Sequence, residues 1–186
     1  MSKRQAFSYT PEELARITLS LYRGNYIEGL FLSSGVGRDE ERTTEKMIDA
    51  IRRLRHEHCF SGYIHIKILP GSSRSHIQEA MMLADRVSIN LEAASASHLS
   101  EICSTKSYES DIIQRQRYIQ RLMKEMWSEE SQAILPAGQT TQMVVGAGGE
   151  SDEEIFQLMI FEYDEINVRR TYYSALATGR ASTMGW

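Results

Sequence analysis

Four segments of the chain alternate an apolar strand with an amphipathic helix, and each strand ends in small or polar residues. They are Gly29-Leu-Phe-Leu-Ser-Ser-Gly35, Gly62-Tyr-Ile-His-Ile-Lys-Ile-Leu-Pro70, Asp85-Arg-Val-Ser-Ile-Asn-Leu-Glu92 and Gly138-Gln-Thr-Thr-Gln-Met-Val-Val-Gly146. Such a rhythm builds a parallel sheet with helices outside, and in such sheets ligands bind at the carboxyl ends of the strands. It constrains the fold more than any other feature.

The helices between these strands announce themselves by their caps. Thr10-Pro-Glu-Glu13 opens the first, and Leu14, Ile17 and Leu21 follow at helical spacing up to Gly24-Asn25. A strand is expected over Tyr26 to Leu32 and a second helix over Thr43 to Glu57, with Met47, Ile51 and Leu54 inward and Arg52, Arg53 and Arg55 on a solvated outer face. Tyr63 to Leu69 reads as a strand, and Ser75-His-Ile-Gln78 opens a helix through Leu83. Arg86 to Leu91 is a strand, followed by a short helix after Ser97 and a longer one over Ser110 to Trp127. Strand Thr140 to Val145 leads to Gly146-Ala-Gly-Gly149. Ser151-Asp-Glu-Glu154 then caps the last helix, whose Phe156, Ile160 and Tyr163 are read as core. Arg170 to Leu176 closes the domain, leaving 177–186 as a disordered tail.

The expected fold is therefore α/β, a partial (βα) TIM-like barrel over 1–176. The chain opens into a helix where a barrel opens into a strand, so the barrel looks as though its first strand has been removed.

Composition limits the function classes. A length of 186 residues suits one domain, and a net charge of −4 gives no general attraction to nucleic acid, so direct nucleic-acid binding is not expected. No apolar run approaches the roughly 20 residues that span a bilayer, and no secretory leader is visible, so a cytoplasmic protein without membrane contact is expected. Cys59 and Cys103 form no disulfide framework and no zinc ribbon. His56-Glu-His-Cys59 reads as a solvated helix end, because consecutive helical residues point apart.

In these motifs the chain resembles a radical S-adenosylmethionine family. Asn25-Tyr-Ile-Glu-Gly-Leu-Phe-Leu-Ser-Ser-Gly35, Gly62-Tyr-Ile-His-Ile-Lys67, Leu83-Ala-Asp-Arg-Val-Ser-Ile-Asn-Leu-Glu92, Ala137-Gly-Gln-Thr-Thr-Gln-Met-Val-Val-Gly-Ala147 and Arg170-Thr-Tyr-Tyr-Ser-Ala175 are similar to its successive segments, over about Tyr9 to Ala175. The family is described as a DNA modification or repair group linked to a uracil-DNA-glycosylase-like partner. The resemblance implies a [4Fe–4S] cluster that reduces S-adenosylmethionine to a 5′-deoxyadenosyl radical, held by a Cys-x3-Cys-x2-Cys loop. That loop would precede Phe7 and is missing from this chain. The resemblance places Ser33, Ser34 and Gly35 against the methionine amino group and Gln139, Gln142 and the stretch ending at Gly146 against the adenine. Asn90 and Glu92, two apart on one strand, suit ribose or carboxylate recognition, and Lys67 an anionic group. For Glu92 an ion pair with Lys67 is the competing reading. The ligand role is preferred because barrel strand ends host sites.

The leading expectation is a fragment of a radical S-adenosylmethionine enzyme that keeps cofactor-pocket strand ends and lacks the cluster cysteines, and so is inactive alone. The alternatives are a degenerate member that binds a nucleoside cofactor or a protein, and a remnant that does not fold alone.

Overall fold

A computed structural model describes residues 9–35, 39–103, 106–126 and 134–176. The tail at 177–186 and the expected helix end at Trp127 lie outside the described residues. Helices α1 (Pro11–Arg23), α2 (Glu40–Arg52), α3 (Arg74–Leu83), α4 (Ala96–Ile102), α5 (Gln114–Glu125) and α6 (Asp152–Asp164) accompany strands β1 (Gly29–Leu32), β2 (Tyr63–Lys67), β3 (Arg86–Ser88), β4 (Gln139–Val145) and β5 (Arg170–Ala175). The strands form one curled, all-parallel sheet in the order β1-β2-β3-β4-β5, a half-barrel with its helices on the convex side. No helix among the described residues is long and apolar enough to cross a membrane.

Strict alternation along each strand separates the two faces. Ile64 and Ile66 of β2, Val87 of β3, Ile89 and Leu91 beyond it, and Met143 of β4 point to the helices and are buried. Ile48, Ile51 and Leu54 meet them from α2 and its continuation, Ile77 and Met81 from α3, and Ile119 from α5. Fully burying each such side chain contributes about 1.5–3 kcal/mol, which makes this layer the main source of stability. The concave side carries Phe31, His65, Lys67, Ser88, Thr140, Gln142 and Tyr172 instead, and is mostly polar.

Several boundaries differ from the sequence reading, each for a local reason. β1 starts at Gly29, because the Tyr26 N–H turns back to the Leu21 carbonyl at 2.9 Å and Asn25 is left-handed at φ 58°. α3 is capped by Ser73, whose hydroxyl accepts from the His76 N–H at 3.2 Å, two residues before the cap expected at Ser75. β3 ends at Ser88, although Ile89 and Glu92 still donate backbone bonds to Thr140 and Gln142 of β4. The expected second and fifth helices each contain a π-helical turn, at Arg53–Glu57 and Tyr108–Ile113.

Two readings of side chains are corrected. Phe156, Ile160 and Tyr163 are exposed by 64%, 42% and 45%, not core, because α6 flanks the last strand and no described element covers its outer side. Arg55 is not simply solvated. Its guanidinium donates to the carbonyls of Leu83, Phe60 and Gly62 and to the Asp85 carboxylate at 2.7–2.9 Å, stapling the end of α2 to the starts of β2 and β3. Arg52 and Arg53 pair with Glu79, Asp49 and Glu57.

Candidate functional site

The concave face holds a cleft of about 350 Å³, lined among others by Ser33, Lys67, Asn90 and Gln142. Sheet register explains why these four meet. Lys67 stands opposite Ser88, Ser88 opposite Thr140, and Gln142 opposite Tyr172, so the concave residues of neighbouring strands form rows across the sheet. Ser33 and Asn90 lie just past the carboxyl ends of β1 and β3. Pockets of this kind orient ligands with a few polar groups, and this one offers hydroxyls, amides and one ammonium.

Each group is positioned by its neighbours. The Gln142 Nε2 donates to the Ser174 hydroxyl at 2.7 Å, which fixes its amide at the cleft wall and leaves the carbonyl oxygen as its free acceptor. Lys67 lies 3.9 Å and Lys106 3.6 Å from the same Glu92 oxygen. Glu92 is left-handed at φ 65° and pairs as an isolated bridge with Met143, so its backbone is bent at the rim of the sheet. The ion pair that competed with the ligand role is thus present, with a second lysine added, and Glu92 meets the cleft through Lys67.

His65 forms the floor with Phe31, ring centroids 4.6 Å apart and planes at 49°. Its Nε2 is buried without a hydrogen-bond partner. Burial lowers its pKa from 6.5 to about 4, and the nearby Arg86 charge adds to the effect, so the imidazole is neutral at physiological pH. A neutral ring beside Phe31 offers a flat surface to a ligand.

The remaining expected site residues lie elsewhere. Ser34 and Gly35 form the loop beyond β1, where the Ser34 hydroxyl donates to the Gly35 carbonyl at 3.1 Å. Gly146 follows β4 at φ 83°, and its N–H donates to the Glu150 carboxylate. The Gly148 N–H reaches the same carboxylate at 2.9 Å, so a side chain of the chain itself fills this glycine loop. Gln139 has the opposite strand parity from Gln142 and points into the helix layer. It is buried, and its Nε2 donates to the carbonyls of Ile166 at 2.9 Å and Gln116 at 3.3 Å. It therefore serves a structural network away from the cleft.

Sequence reasoning passed over His65, Ser88, Thr140 and Tyr172. The signal was available, because stepping back two residues from Lys67, Asn90 and Gln142 reaches the first three.

Residues for the implied iron–sulfur cluster do not fit. Such a cluster takes thiolates, and the chain has two cysteines, Cys59 after the π turn of α2 and Cys103 at the end of α4. Among the described residues no group of three or more His, Cys, Asp or Glu could hold a metal. S-adenosylmethionine is different. The cleft offers an ammonium, hydroxyls and amides beside the Phe31, His65 and Tyr172 rings, which are groups of the kind that hold a charged nucleoside.

A scan against protein-family models matched none, and a search of curated proteins matched none either.

Proposed function

We propose that the concave cleft binds S-adenosylmethionine or a closely related nucleoside, and that the chain is the cofactor-holding part of a radical S-adenosylmethionine-type barrel. The observation that carries this reading is one cleft lined by Ser33, Lys67 and Asn90 from the carboxyl ends of β1, β2 and β3 and by Gln142 from the middle of β4. The resemblance of the strand segments to that family supplies the identity of the ligand, and the cleft supplies a place of suitable chemistry.

In this reading Lys67 meets the carboxylate of the methionine moiety, and Glu92 holds the Lys67 ammonium at the rim until the ligand arrives. The Asn90 amide donates to or accepts from the ribose and base, and the Gln142 carbonyl oxygen accepts from them. The Phe31–His65 pair gives the base an apolar surface. S-adenosylmethionine supplies a deoxyadenosyl group for radical chemistry when a cluster reduces it, and this chain contributes binding and orientation only. By the same resemblance, the wider reaction is a DNA modification or repair step carried out beside a uracil-DNA-glycosylase-like protein.

Isothermal calorimetry of the purified chain with S-adenosylmethionine tests the reading. Saturable heat that Lys67→Ala diminishes supports it. Absence of heat, or heat that none of the Ser33, Lys67, Asn90 and Gln142 alanine variants changes, refutes it.

A further inference from the structure

The half-barrel is uneven at its two ends. Helix α1 stands before β1 and packs against α2 and its π turn, with no described strand on its far side. At the other end, β5 has no described helix after it. In a closed (βα) ring each groove between strands is covered by one helix, so this molecule carries one helix too many at one edge and one too few at the other.

Apolar side chains are exposed at both edges among polar ones. On α1, Ile17 and Leu21 are exposed, and Ile17 lines a groove of about 570 Å³ together with Leu19, Glu13, Arg16, Ser20 and Arg23. On the far edge Phe156, Ile160 and Tyr163 of α6 are exposed, together with Tyr173, which β5 turns toward the side where a helix would lie. An apolar set of this extent on one edge marks a contact surface.

We propose that two copies of this chain close into one parallel barrel, β1 of each pairing with β5 of the other. A twofold axis along the barrel makes the two junctions identical and leaves no free sheet edge. It also lays the second copy's α1 beside α6, over the bare side of β5.

The dimensions agree. Both helices contain 13 residues, and both begin at a capped residue, Thr10 and Ser151. Helices in such a ring run in the same sense. With the two caps level, Ile17 falls between Phe156 and Ile160, Leu21 falls between Ile160 and Tyr163, and Arg23 stands level with Asp164. Apolar residues interdigitate and opposite charges meet at the last turn. A second copy supplies what each edge lacks, which an unrelated partner would have to match at both edges separately. Closure also shuts the open sides of the cleft, leaving entry by the carboxyl rim. The inference does not depend on which ligand the cleft takes, and it competes with the reading of the chain as a fragment, which puts a strand from outside this sequence at the β1 edge.

Sedimentation equilibrium on the purified chain tests this, with Ile17→Glu, Ile160→Lys and the double variant beside it. Both positions are exposed, and thermal unfolding checks that each variant folds. The expected result is a dimer that each single change converts to monomer and that the double variant restores, because Glu at 17 then faces Lys at 160 of the other copy. A monomeric parent chain leaves the β1 edge to a strand from outside this sequence and overturns the proposal. A dimer that both single variants leave intact, or a double variant that stays monomeric, overturns it as well.

Discussion

The Glu162 carboxyl group is buried between α5 and α6, with Oε2 accepting from the Gln116 Nε2 at 3.0 Å and Oε1 without a partner. Burial raises its pKa from 4.5 to about 8, against the smaller opposing effect of the Gln116 hydrogen bond. Gln116 in turn is tied to β4, since its carbonyl accepts from Gln139. One titratable group therefore sits inside the joint that fixes the last two helices to the sheet.

The sign of its pH effect follows from linkage. Between pH 4.5 and about 8 the folded chain holds a proton here that the unfolded chain has released, so stability falls as pH rises through this window and levels off above it. The gap corresponds to an upper bound on the order of 5 kcal/mol. Glu162→Gln keeps the Gln116 contact without the charge. It is expected to raise the thermal midpoint at pH 8.5 by several degrees and to leave it nearly unchanged at pH 4.5. A midpoint that moves equally at both pH values refutes the assignment.

Arg55 predicts a different cost. Its guanidinium makes four hydrogen bonds, three to carbonyls and one to Asp85, whose carboxylate also accepts from the Ile64 N–H at 2.7 Å. Arg55→Ala leaves these groups with fewer partners and is expected to destabilise the fold by about 2–4 kcal/mol in urea. Arg53→Ala removes a half-buried pair with Asp49 and an exposed pair with Glu57, with no carbonyl left unpartnered, and is expected to cost clearly less than Arg55→Ala. Equal losses for the two arginines would contradict the staple.

The contrast between these arginines shows where sequence reading reached its limit. Strands, helices and their order were legible because alternation and capping are local signals, as at Thr10 and Ser151, where both capping boxes form. Arg55 was read as solvated like Arg52 and Arg53, because nothing local says which arginine of a run faces the turn ahead of β2. Phe156, Ile160 and Tyr163 have the spacing of a core stripe, yet whether a stripe is covered depends on elements outside the helix itself. At the site, Lys67 and Asn90 were legible from strand parity, while Gln142 came from the resemblance alone. Gln139 was grouped with Gln142 although three residues apart on a strand means opposite faces.

Cleft variants separate binding from folding. The Lys67 ammonium reaches Glu92 only at 3.9 Å, so Lys67→Ala removes little from the fold. Loss of a charged partner for a bound carboxylate costs about 1.5–3 kcal/mol, which is tenfold or more in affinity. Lys67→Ala is therefore expected to weaken S-adenosylmethionine binding at least about tenfold with a thermal midpoint near the parent value. Gln139→Ala is expected to do the reverse, lowering stability through the Ile166 and Gln116 carbonyls. Calorimetry and thermal unfolding on the same preparations read both effects.

His65 gives a spectroscopic check on the floor of the cleft. With its pKa lowered to about 4, the ring stays neutral at pH 6, where an ordinary histidine is largely protonated. Its imidazole proton shifts should titrate near pH 4, and a midpoint near 6.5 would place the ring in water. Because the unfolded chain binds the proton first, this group makes stability rise with pH from about 4 to 6.5, opposite in sense to Glu162.

Glu150 predicts a local rather than a global effect. Its carboxylate accepts from the backbone N–H of Gly146 and Gly148, and its own N–H contributes most to holding the pKa below the ordinary value. The charge organises the loop that leaves β4 at the rim of the cleft. A lowered pKa means that this contribution is present above the ordinary value of 4.5 and is lost as pH falls through the lower, folded value. Glu150→Ala is expected to speed amide hydrogen exchange at Gly146 and Gly148 while leaving exchange in β4 unchanged, because the strand is held by β3 and β5 on either side. Exchange that accelerates along β4 as well would mean that Glu150 supports the sheet rather than the loop.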